Sequence, residues 1–282
     1  MQKRDFLKTL GLAALGGAVG AVATQSNSDV TTAPRESVYE RVMRTKTLRC
    51  GYIPYSYNFV VDVNSSKKFG VMYDLVNEMG RLLDLKIDWV EELTWATVPT
   101  ALQAGRVDVM ASGMWIDSHY ARYVGFSRPI FYNSIGAYVR SDERRFSNIE
   151  QLNNPLVRVV SRDGGTSGII RNQDFPKTTL VSLPSGVSDG EMLSYLTTGK
   201  ADVIFYGDDY MAQFMKTNPG KVKRLFSGDQ LRKFAIAIAT PIQDQQIASV
   251  INNSLIELSG SNFVDKLLKA QALPGSWIPA IH

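Results

Sequence analysis

The sequence has very few residues of the kinds that crosslink a chain or hold a metal. Its 282 residues include one cysteine, Cys50, and two histidines, His119 and His282. One cysteine cannot form a disulfide within the chain, and two histidines leave too few ligands for a conventional zinc site. We therefore expect no disulfide, no metal and no cofactor.

Excess charge of either sign is also scarce. The formal net charge is only +4, and part of it comes from Lys3, Arg4 and Lys8. So small an excess gives no basis for nucleic-acid binding. A hydrophobic content of 44%, a charged content of 21% and modest glycine and proline (22 and 11 residues) exclude a disordered, collagen-like or coiled-coil chain. The length predicts a folded protein of about two domains.

The N-terminal segment reads as an export signal. A basic start at Lys3 and Arg4 is followed by an uncharged apolar stretch, residues 9–23, which ends in small residues. That layout predicts a signal peptide at residues 1–23, cleaved after Ala23. The apolar stretch is shorter than the roughly 20 residues of a membrane-spanning helix, although an uncleaved anchor is the alternative. Lys3-Arg4 resembles the twin-arginine motif with Lys in the first position, which leaves the export route open.

Beyond a predicted linker at residues 24–44, hydrophobic residues alternate between strand and helix periods. Capping-box sequences at Ser147-x-x-Glu150 and Ser188-x-x-Glu191 predict two helix starts. Strands are predicted at 48–53, 86–90, 107–111, 157–160, 179–183, 202–206 and 234–239, and helices around 75–83, at 95–104 before Gly105, from Thr166, at 189–196 and around 247–258.

This order contains βαβ units twice, and such units demand parallel sheets. We expect an α/β fold of two lobes, each a mixed, mostly parallel sheet flanked by helices. Residues 45–139 with 234–282 would form lobe 1 and residues 140–233 lobe 2, with hinge crossings near 138–141 and 232–235. Ligands bind outside the carboxyl ends of strands in open α/β sheets, so a cleft that closes between the lobes is expected.

Five short sequences in a fixed order carry a resemblance. They are Leu48-Arg49-Cys50-Gly51-Tyr52, Phe69-Gly70-Val71-Met72-Tyr73-Asp74-Leu75, Trp95-x5-Ala101-Leu102-x2-Gly105-x-Val107-Asp108, Phe126-Ser127-x-Pro129 and Gly199-Lys200-Ala201-Asp202. Each is common alone, but their order and spacing over more than two hundred residues resemble the family-3 bacterial solute-binding proteins, receptors of polar amino-acid ABC importers.

The resemblance implies the type II periplasmic-binding fold, closure about a hinge, and a non-enzymatic function. A monomer in the periplasm would bind an amino acid or a related small amine or carboxylate and deliver it to an ABC permease in the inner membrane. Lobe closure would transmit occupancy, because ligand shifts the population toward the closed form.

In lobe 1, four aromatic residues follow the first strand. They are Tyr52, Tyr55, Tyr57 and Phe59. The family uses this loop for a ring that stacks on the ligand, while the other rings would pack against their own lobe. An acidic residue common in the family is replaced by Ile53. Trp95 aligns with a family tryptophan near the cleft, and a helix-start core role is the alternative.

The segment Ser112-Gly113-Met114-Trp115 is predicted to follow the third strand. The family binds the ligand carboxylate there through backbone N–H groups, a hydroxyl residue and an arginine, whose matching positions are Trp115 and Tyr120. A tyrosine hydroxyl lacks the charge and paired donors of arginine. Either Arg122, two residues later, substitutes, or the ligand is not a standard α-amino acid. Arg122 could instead be a solvated surface charge.

In lobe 2, Asp163-Gly164-Gly165-Thr166-Ser167 resembles the family's Gly-Thr-Thr loop at a helix start. Amides there, with the Thr166 or Ser167 hydroxyl, attract an anionic or polar group, and simple N-capping is the alternative. Asp163 would meet a cation. After the strand at 202–206, the family's ammonium-binding aspartate matches Asp208 best, although Asp209 is also a candidate. The alternative to ligand binding is that one of the two caps the helix and complements its dipole.

Enzyme motifs for phosphate loops, zincins and thiol redox pairs are absent from the sequence. The enzyme alternative is a periplasmic cyclohexadienyl (prephenate or arogenate) dehydratase on the same fold, which needs a general acid with a tuned pKa in the cleft. A sensory module for a membrane receptor is a third possibility, although no attached signalling domain is apparent.

Overall fold

A computed structural model describes residues 36–55, 57–226, 231–271 and 277–280. The predicted signal peptide at residues 1–23 lies outside the described residues. No helix within the described ranges has the length and apolar character needed to cross a membrane.

Helices and strands alternate along most of the described chain. The helices are α1 (Val38–Thr45), α2 (Val71–Leu82), α3 (Val98–Gln103), α4 (Thr166–Asp174), α5 (Asp189–Thr197), α6 (Asp208–Thr217), α7 (Gln245–Gly260) and α8 (Phe263–Gln271). The strands are β1 (Thr47–Tyr52), β2 (Val60–Val61), β3 (Lys68–Phe69), β4 (Lys86–Glu92), β5 (Val109–Trp115), β6 (Val124–Phe126), β7 (Phe131–Arg140), β8 (Arg158–Arg162), β9 (Thr179–Leu183), β10 (Val203–Gly207), β11 (Val222–Arg224), β12 (Arg232–Pro241) and β13 (Trp277–Pro279).

Two parallel sets of strands form the sheet. β1 lies between β4 and β5 and runs parallel to both, and β8 lies between β9 and β10 in the same way. Each set arises from helical crossovers, the connection that parallel neighbours require. The predicted α/β fold with mostly parallel strands flanked by helices is confirmed. The expectation of one separate sheet in each lobe is wrong, because among the described residues the strands of both sets pair into one sheet of eleven strands.

The long antiparallel strands β7 and β12 join the two sets. They pair with each other over Phe131–Ile135 and Arg232–Ile236. Beyond this overlap, β12 continues beside β5, while β7 continues beside β10. The overlap is therefore the place where the chain passes from one set of strands to the other.

The apolar patterns bury the faces they predict. Ile247, Ile251, Leu255 and Leu258 on α7 are all buried in one core with α2. Gly105 has a φ of +68° and ends the turn after α3, with the amide of Arg106 donating to the carbonyl of Ala101 at 3.0 Å. This left-handed position suits glycine because it has no Cβ.

Helix starts follow local capping, with one correction. Ser188 caps α5 and accepts from the amide of Glu191 at 3.2 Å, as predicted. The predicted cap at Ser147 is wrong, because the adjacent 3₁₀ turn Ile149–Leu152 is capped by Asn148, which accepts from Gln151. An asparagine oxygen competes directly with a serine hydroxyl for this function, and the pattern alone does not rank them.

The predicted linker at residues 24–44 is wrong where its end overlaps α1. Ser37 and Glu40 form a reciprocal capping box that starts this helix. Arg41 on α1 pairs with the buried carboxylate of Asp108, which Arg49 also contacts at 2.8 Å. Burial of Val42 and this ion pair attach α1 to the domain.

Strand β5 is longer than the sequence predicted. The expectation of a strand at 107–111 followed by a loop is wrong, because residues 112–115 continue the strand. Its antiparallel partner β12 pairs Ala237 with Met114 and Ile236 with Trp115, which extends the ladder. Gly113 within it has a φ of +90°.

Candidate functional site

The carboxyl ends of the two parallel sets carry the residues that define a candidate binding cleft. We call Tyr55, Trp95 and Tyr120, which follow β1, β4 and β5, the first edge. We call the residues at or after the ends of β8, β9 and β10 the second edge; they are Arg162, Asp189, Tyr206, Asp209 and Tyr210. Such ends are where open α/β sheets bind ligands.

The first edge is aromatic. The rings of Tyr55 and Trp95 meet edge to face with centroids 5.9 Å apart. The hydroxyl of Tyr120 donates to the carbonyl of Trp95 at 3.1 Å, which fixes the start of the 3₁₀ turn Trp95–Thr97. Trp95 is still 39% exposed, so part of its ring is available for contact.

The second edge carries charge of both signs. The guanidinium of Arg162 donates to the carbonyl of Val187 at 3.0 Å, to the hydroxyl of Tyr206 at 3.3 Å and to the carboxylate of Asp189. The rings of Tyr206 and Tyr210 meet edge to face at 5.2 Å. This edge therefore combines an oriented ion pair with two phenol rings.

The two edges lie close together at Tyr55. Burial raises the pKa of the Tyr55 hydroxyl well above its usual value, and the charges of Asp209 and Asp189 raise it further while Arg162 opposes them. Burial likewise raises the pKa of Tyr206, with Asp189 and Tyr55 among the contributors. A residue of the first edge thus experiences the charges of the second.

The overlap of β7 and β12 places polar groups between two hydrophobic cores. We call the hydrophobic core around α2 and α7 the first core and the one around Val159 and Phe205 the second core. Along one face of β7, Phe131 belongs to the first core and Ile135 to the second, while Asn133 lies between them and is fully buried. Its amide nitrogen donates to Asp209 at 3.1 Å. Within the described ranges, its carbonyl oxygen has no hydrogen-bond partner. Buried polar atoms without partners are rare in folded proteins.

Trp115 lies at the same boundary. Its ring stacks on Phe234 of β12, with centroids 4.6 Å apart and planes 13° from parallel, and it packs against both cores. Its indole N–H is buried and has no acceptor among the residues that the structure describes. Trp115 is therefore a boundary residue with an available donor.

The adjacent aspartates at the start of α6 have different surroundings. Asp208 accepts from Arg224 at 2.9 Å and also from the hydroxyls of Ser134 and Tyr138. Its proximity, after burial, helps raise the pKa of Tyr138. Asp209 is fully buried, is bonded to Asn133, and acts on Tyr55 across the cleft. Of the two, the structure brings Asp209 to the site.

Three of the predicted site residues on β5 have internal contacts. The hydroxyl of Ser112 accepts from the amide of Ile53 at 2.8 Å, which anchors the chain after β1. Gly113 is enclosed, since a Cβ there would lie 2.9 Å from the side chain of Ile236. Met114 is 2% exposed and belongs to a core.

The rings of Tyr52 and Tyr57 contact other residues than Tyr55 does. The Tyr52 ring stacks on Phe59 with centroids 4.9 Å apart, and Trp89 extends this aromatic cluster. Tyr57 packs against the first core. Only Tyr55 of these rings joins the first edge, consistent with the expectation that most would pack against their own lobe.

Arg122 and Asp163 are exposed. The Arg122 guanidinium lies 5.2 Å from the centroid of the Tyr123 ring and donates to its hydroxyl at 3.2 Å. Asp163 accepts from the Ser182 hydroxyl. The structure brings neither into contact with Tyr55 or Asp209.

At the start of α4, the Ser167 side chain is used within the fold, whereas Thr166 is the first residue of the helix. The buried Ser167 hydroxyl donates to the carbonyl of Val160 at 2.8 Å and accepts from the amide of Phe205 at 3.1 Å, which links β8 to β10. Thr166 begins the helix after Gly165. First-turn amides have no acceptor within their own helix, so they can bind an anionic group.

Sequence reasoning missed five residues: Arg162, Asp189, Tyr206, Tyr210 and Asn133. A signal was present for the first four, because each stands near a strand end or in the first turn of the next helix, and that edge was the expected site. Asn133 had no comparable signal. Within the described residues, no group of three or more His, Cys, Asp or Glu side chains could hold a metal ion.

Rings and charges at the carboxyl ends of parallel strands suit the binding of a small molecule. Residues 48–270 match the model of the bacterial extracellular solute-binding proteins, family 3, so the chain belongs to that family. The resemblance found in the sequence is confirmed. Proteins of this family are mainly non-enzymatic and extracellular or periplasmic.

Two curated relatives differ in activity. A "Probable histidine-binding protein" of Campylobacter jejuni is 25% identical over 234 residues, covering 81% of this chain and 86% of the relative. A cyclohexadienyl dehydratase of Pseudomonas aeruginosa is 24% identical over 175 residues, covering 60% of this chain and 62% of the relative.

Solved structures confirm the fold. An ancestral amino-acid-binding protein, described as a precursor of cyclohexadienyl dehydratase, has a TM-score of 0.70 at 24% identity and covers 84% of this chain and 99% of its own. An ancestral arginine-binding protein bound to arginine has a TM-score of 0.65 at 23% identity, covering 80% and 98%. The fold is that of the type II periplasmic binding proteins.

Proposed function

We propose that this protein is the periplasmic substrate-binding component of an ABC importer and that it binds an amino acid or a related small polar amine. The observation that carries the proposal is that rings and charges meet at Tyr55: its half-buried ring lies edge to face with Trp95 at 5.9 Å, and the charges of Arg162, Asp189 and Asp209 act on its hydroxyl. Groups of both signs beside aromatic rings suit a small zwitterion with an apolar or flat portion.

The contacts proposed for the ligand revise the sequence prediction at one position. Asp209 receives the ligand ammonium, because Asp208 is already bonded to Arg224, Ser134 and Tyr138. Tyr55 and Trp95 form an aromatic wall. The free indole N–H of Trp115 donates to a polar group of the ligand, and the first turn of α4 at Thr166 lies at the same strand edge.

Closure is proposed to bend the overlap of β7 and β12. The predicted division into lobes, residues 45–139 with 234–282 and residues 140–233, is retained as part of the proposal. Trp115 and Phe234 pack at the boundary between the two cores, so ligand contact with Trp115 would couple occupancy to the angle between lobes. The closed form would then be recognised by a membrane permease, with export by the N-terminal signal.

Dehydration of prephenate or arogenate is the second candidate function. The Pseudomonas relative favours it, and Asp209 is a buried carboxyl in the cleft from which a general acid could come. The histidine-binding relative covers more of this chain, 81% against 60%, which supports solute binding as the first candidate.

Native mass spectrometry of the mature protein, followed by calorimetry against the twenty amino acids, common amines and small carboxylates, tests the proposal. We expect a retained or added ligand of amino-acid size bound at micromolar or tighter affinity. Binding of no amino acid or amine would overturn solute binding in this form. Release of phenylpyruvate from prephenate, or of phenylalanine from arogenate, by the protein and not by Asp209→Asn would establish the dehydratase alternative.

A further inference from the structure

The first edge offers aromatic rings rather than a cation for a ligand carboxylate. The hydroxyl of Tyr120 is engaged by the carbonyl of Trp95. Arg122 is exposed, with its guanidinium over the ring of Tyr123. A carboxylate held at this edge would lack the charge-assisted hydrogen bonds that make its binding strong.

Arg162 on the second edge has charged N–H donors for a ligand carboxylate, which the first edge lacks. Its contacts to Val187, Asp189 and Tyr206 use three of the five N–H donors of a guanidinium. In the part of the chain that the structure describes, the Nε hydrogen and one Nη1 hydrogen have no acceptor. Because three contacts fix the plane of the guanidinium, little side-chain entropy remains to be lost when a ligand binds.

Arg162 also lies where a ligand can reach it, at the carboxyl end of a strand. It is the last residue of β8, and its side chain is 30% exposed rather than enclosed. The first turn of α4, whose amides favour negative charge, begins four residues later at Thr166. Tyr55 of the first edge lies within reach of its charge, as does Tyr210.

We propose that Arg162, oriented by Asp189 and Tyr206, binds the carboxylate of the ligand from the second edge. This assignment rests on the proposed binding of an amino acid. The ligand would therefore keep both its charged groups on the second edge, with the carboxylate at Arg162 and the ammonium at Asp209. The first edge would then contribute rings alone.

In this arrangement, Asp189 orients the guanidinium of Arg162. It partly neutralises Arg162 and holds one side of the guanidinium, so a ligand carboxylate approaches the remaining donors. Arg162 is one positive charge against the two negative charges of Asp189 and Asp209 that also act on Tyr55. Removing Arg162 would leave a ligand carboxylate facing negative charge alone.

The test compares an amino acid with its carboxamide in two matched variants. The probes are the amino acid that binds wild type most tightly and its α-carboxamide, which keeps the ammonium and side chain but lacks the carboxylate charge. The variants are Arg162→Met and, as control, Arg158→Met at the opposite end of the same strand. Arg158 also pairs with an aspartate, donating to Asp202 at 2.9 Å, but lies away from the carboxyl edge.

Arg162→Met should weaken binding of the amino acid about 10- to 100-fold, the effect of losing charge-assisted hydrogen bonds, and change carboxamide binding less than threefold. Arg158→Met should change neither. In wild type, the Nε–H NMR signal that disappears in Arg162→Met should shift when the amino acid is added and not when the carboxamide is added.

Equal losses for the two probes, or an unchanged affinity for the amino acid, would overturn the carboxylate assignment while leaving solute binding intact. Absence of binding by wild type to every amino acid would instead overturn the proposed function and this assignment with it. If Arg162→Met does not fold, Arg162→Lys decides: it keeps the charge but loses the paired donors, and should lose affinity for the amino acid selectively.

Discussion

The two edges of the cleft use different chemistry although they arise from the same kind of parallel strands. The first edge presents Tyr55 and Trp95 as rings, whereas the second presents Arg162, Asp189 and Asp209 as charges. Rings accept many flat or apolar groups, but charges discriminate by sign and position. The difference suggests that the second edge selects the ligand and the first encloses it.

The largest expected effect is on stability, and it distinguishes Asp208, which stabilises the fold, from Asp209, which is proposed to bind the ligand. Asp208→Ala removes the carboxylate that pairs with Arg224, and the side chains of Asp208 and Arg224 are only 12% and 18% exposed. Loss of this mostly buried ion pair should lower the free energy of unfolding by about 3 kcal/mol, measured by urea denaturation. Ligand affinity should change less than threefold. A large loss of affinity at unchanged stability would restore Asp208 as the ammonium partner.

Asp209→Asn changes the ligand-facing charge at constant size. We expect about a 100-fold loss of affinity for the amino acid, roughly 2.7 kcal/mol, because a buried ammonium would face a neutral amide. Calorimetry measures the loss, and Asp208→Asn is the matched control. Retention of wild-type affinity in Asp209→Asn would show that the second edge does not select by the charge at this position.

The Asp208 and Asp209 pair also shows how far the sequence predicts the site. The strand end and helix start were predicted, and α6 begins there. Which of two neighbouring aspartates faces the cleft depends on a rotation of about 100° around the helix, set by partners distant in sequence. Asn133 and Arg224 decide it, and no local pattern reveals them.

The fold was more predictable than the site because strand and helix periods are local. Thr179–Leu183 agrees with its prediction to the residue. Long-range pairing caused the error at β5, where β12 extends the strand through Trp115. Arg162 illustrates a different limit: it stands at a predicted strand end, but the family resemblance implies a carboxylate clamp in lobe 1, and the contacts of the Arg162 guanidinium are visible only in the structure.

Removal of a ring from the first edge should have an intermediate effect. Trp95→Ala removes a partly exposed ring and its contact with Tyr55, so we expect about a 10-fold loss of affinity, in the range of aromatic contacts with a cation or flat group. Tyr123→Ala, which removes an exposed ring outside the cleft, is the control. If Trp95→Ala reversed the preference between acidic and basic amino acids, the first edge would also be selecting by charge.

Arg122→Ala should have the smallest effect, less than twofold in affinity and less than 0.5 kcal/mol in unfolding free energy, as is usual for exposed side chains. Its guanidinium lies over Tyr123 and is not among the charges that act on Tyr55. Calorimetry compares this variant with Arg162→Met, because each variant removes one positive charge, from outside the first edge at Arg122 and from the second edge at Arg162. A 10-fold loss in Arg122→Ala with no loss in Arg162→Met would place the carboxylate on the first edge, and the division between a ring-bearing edge and a charged edge would then fail.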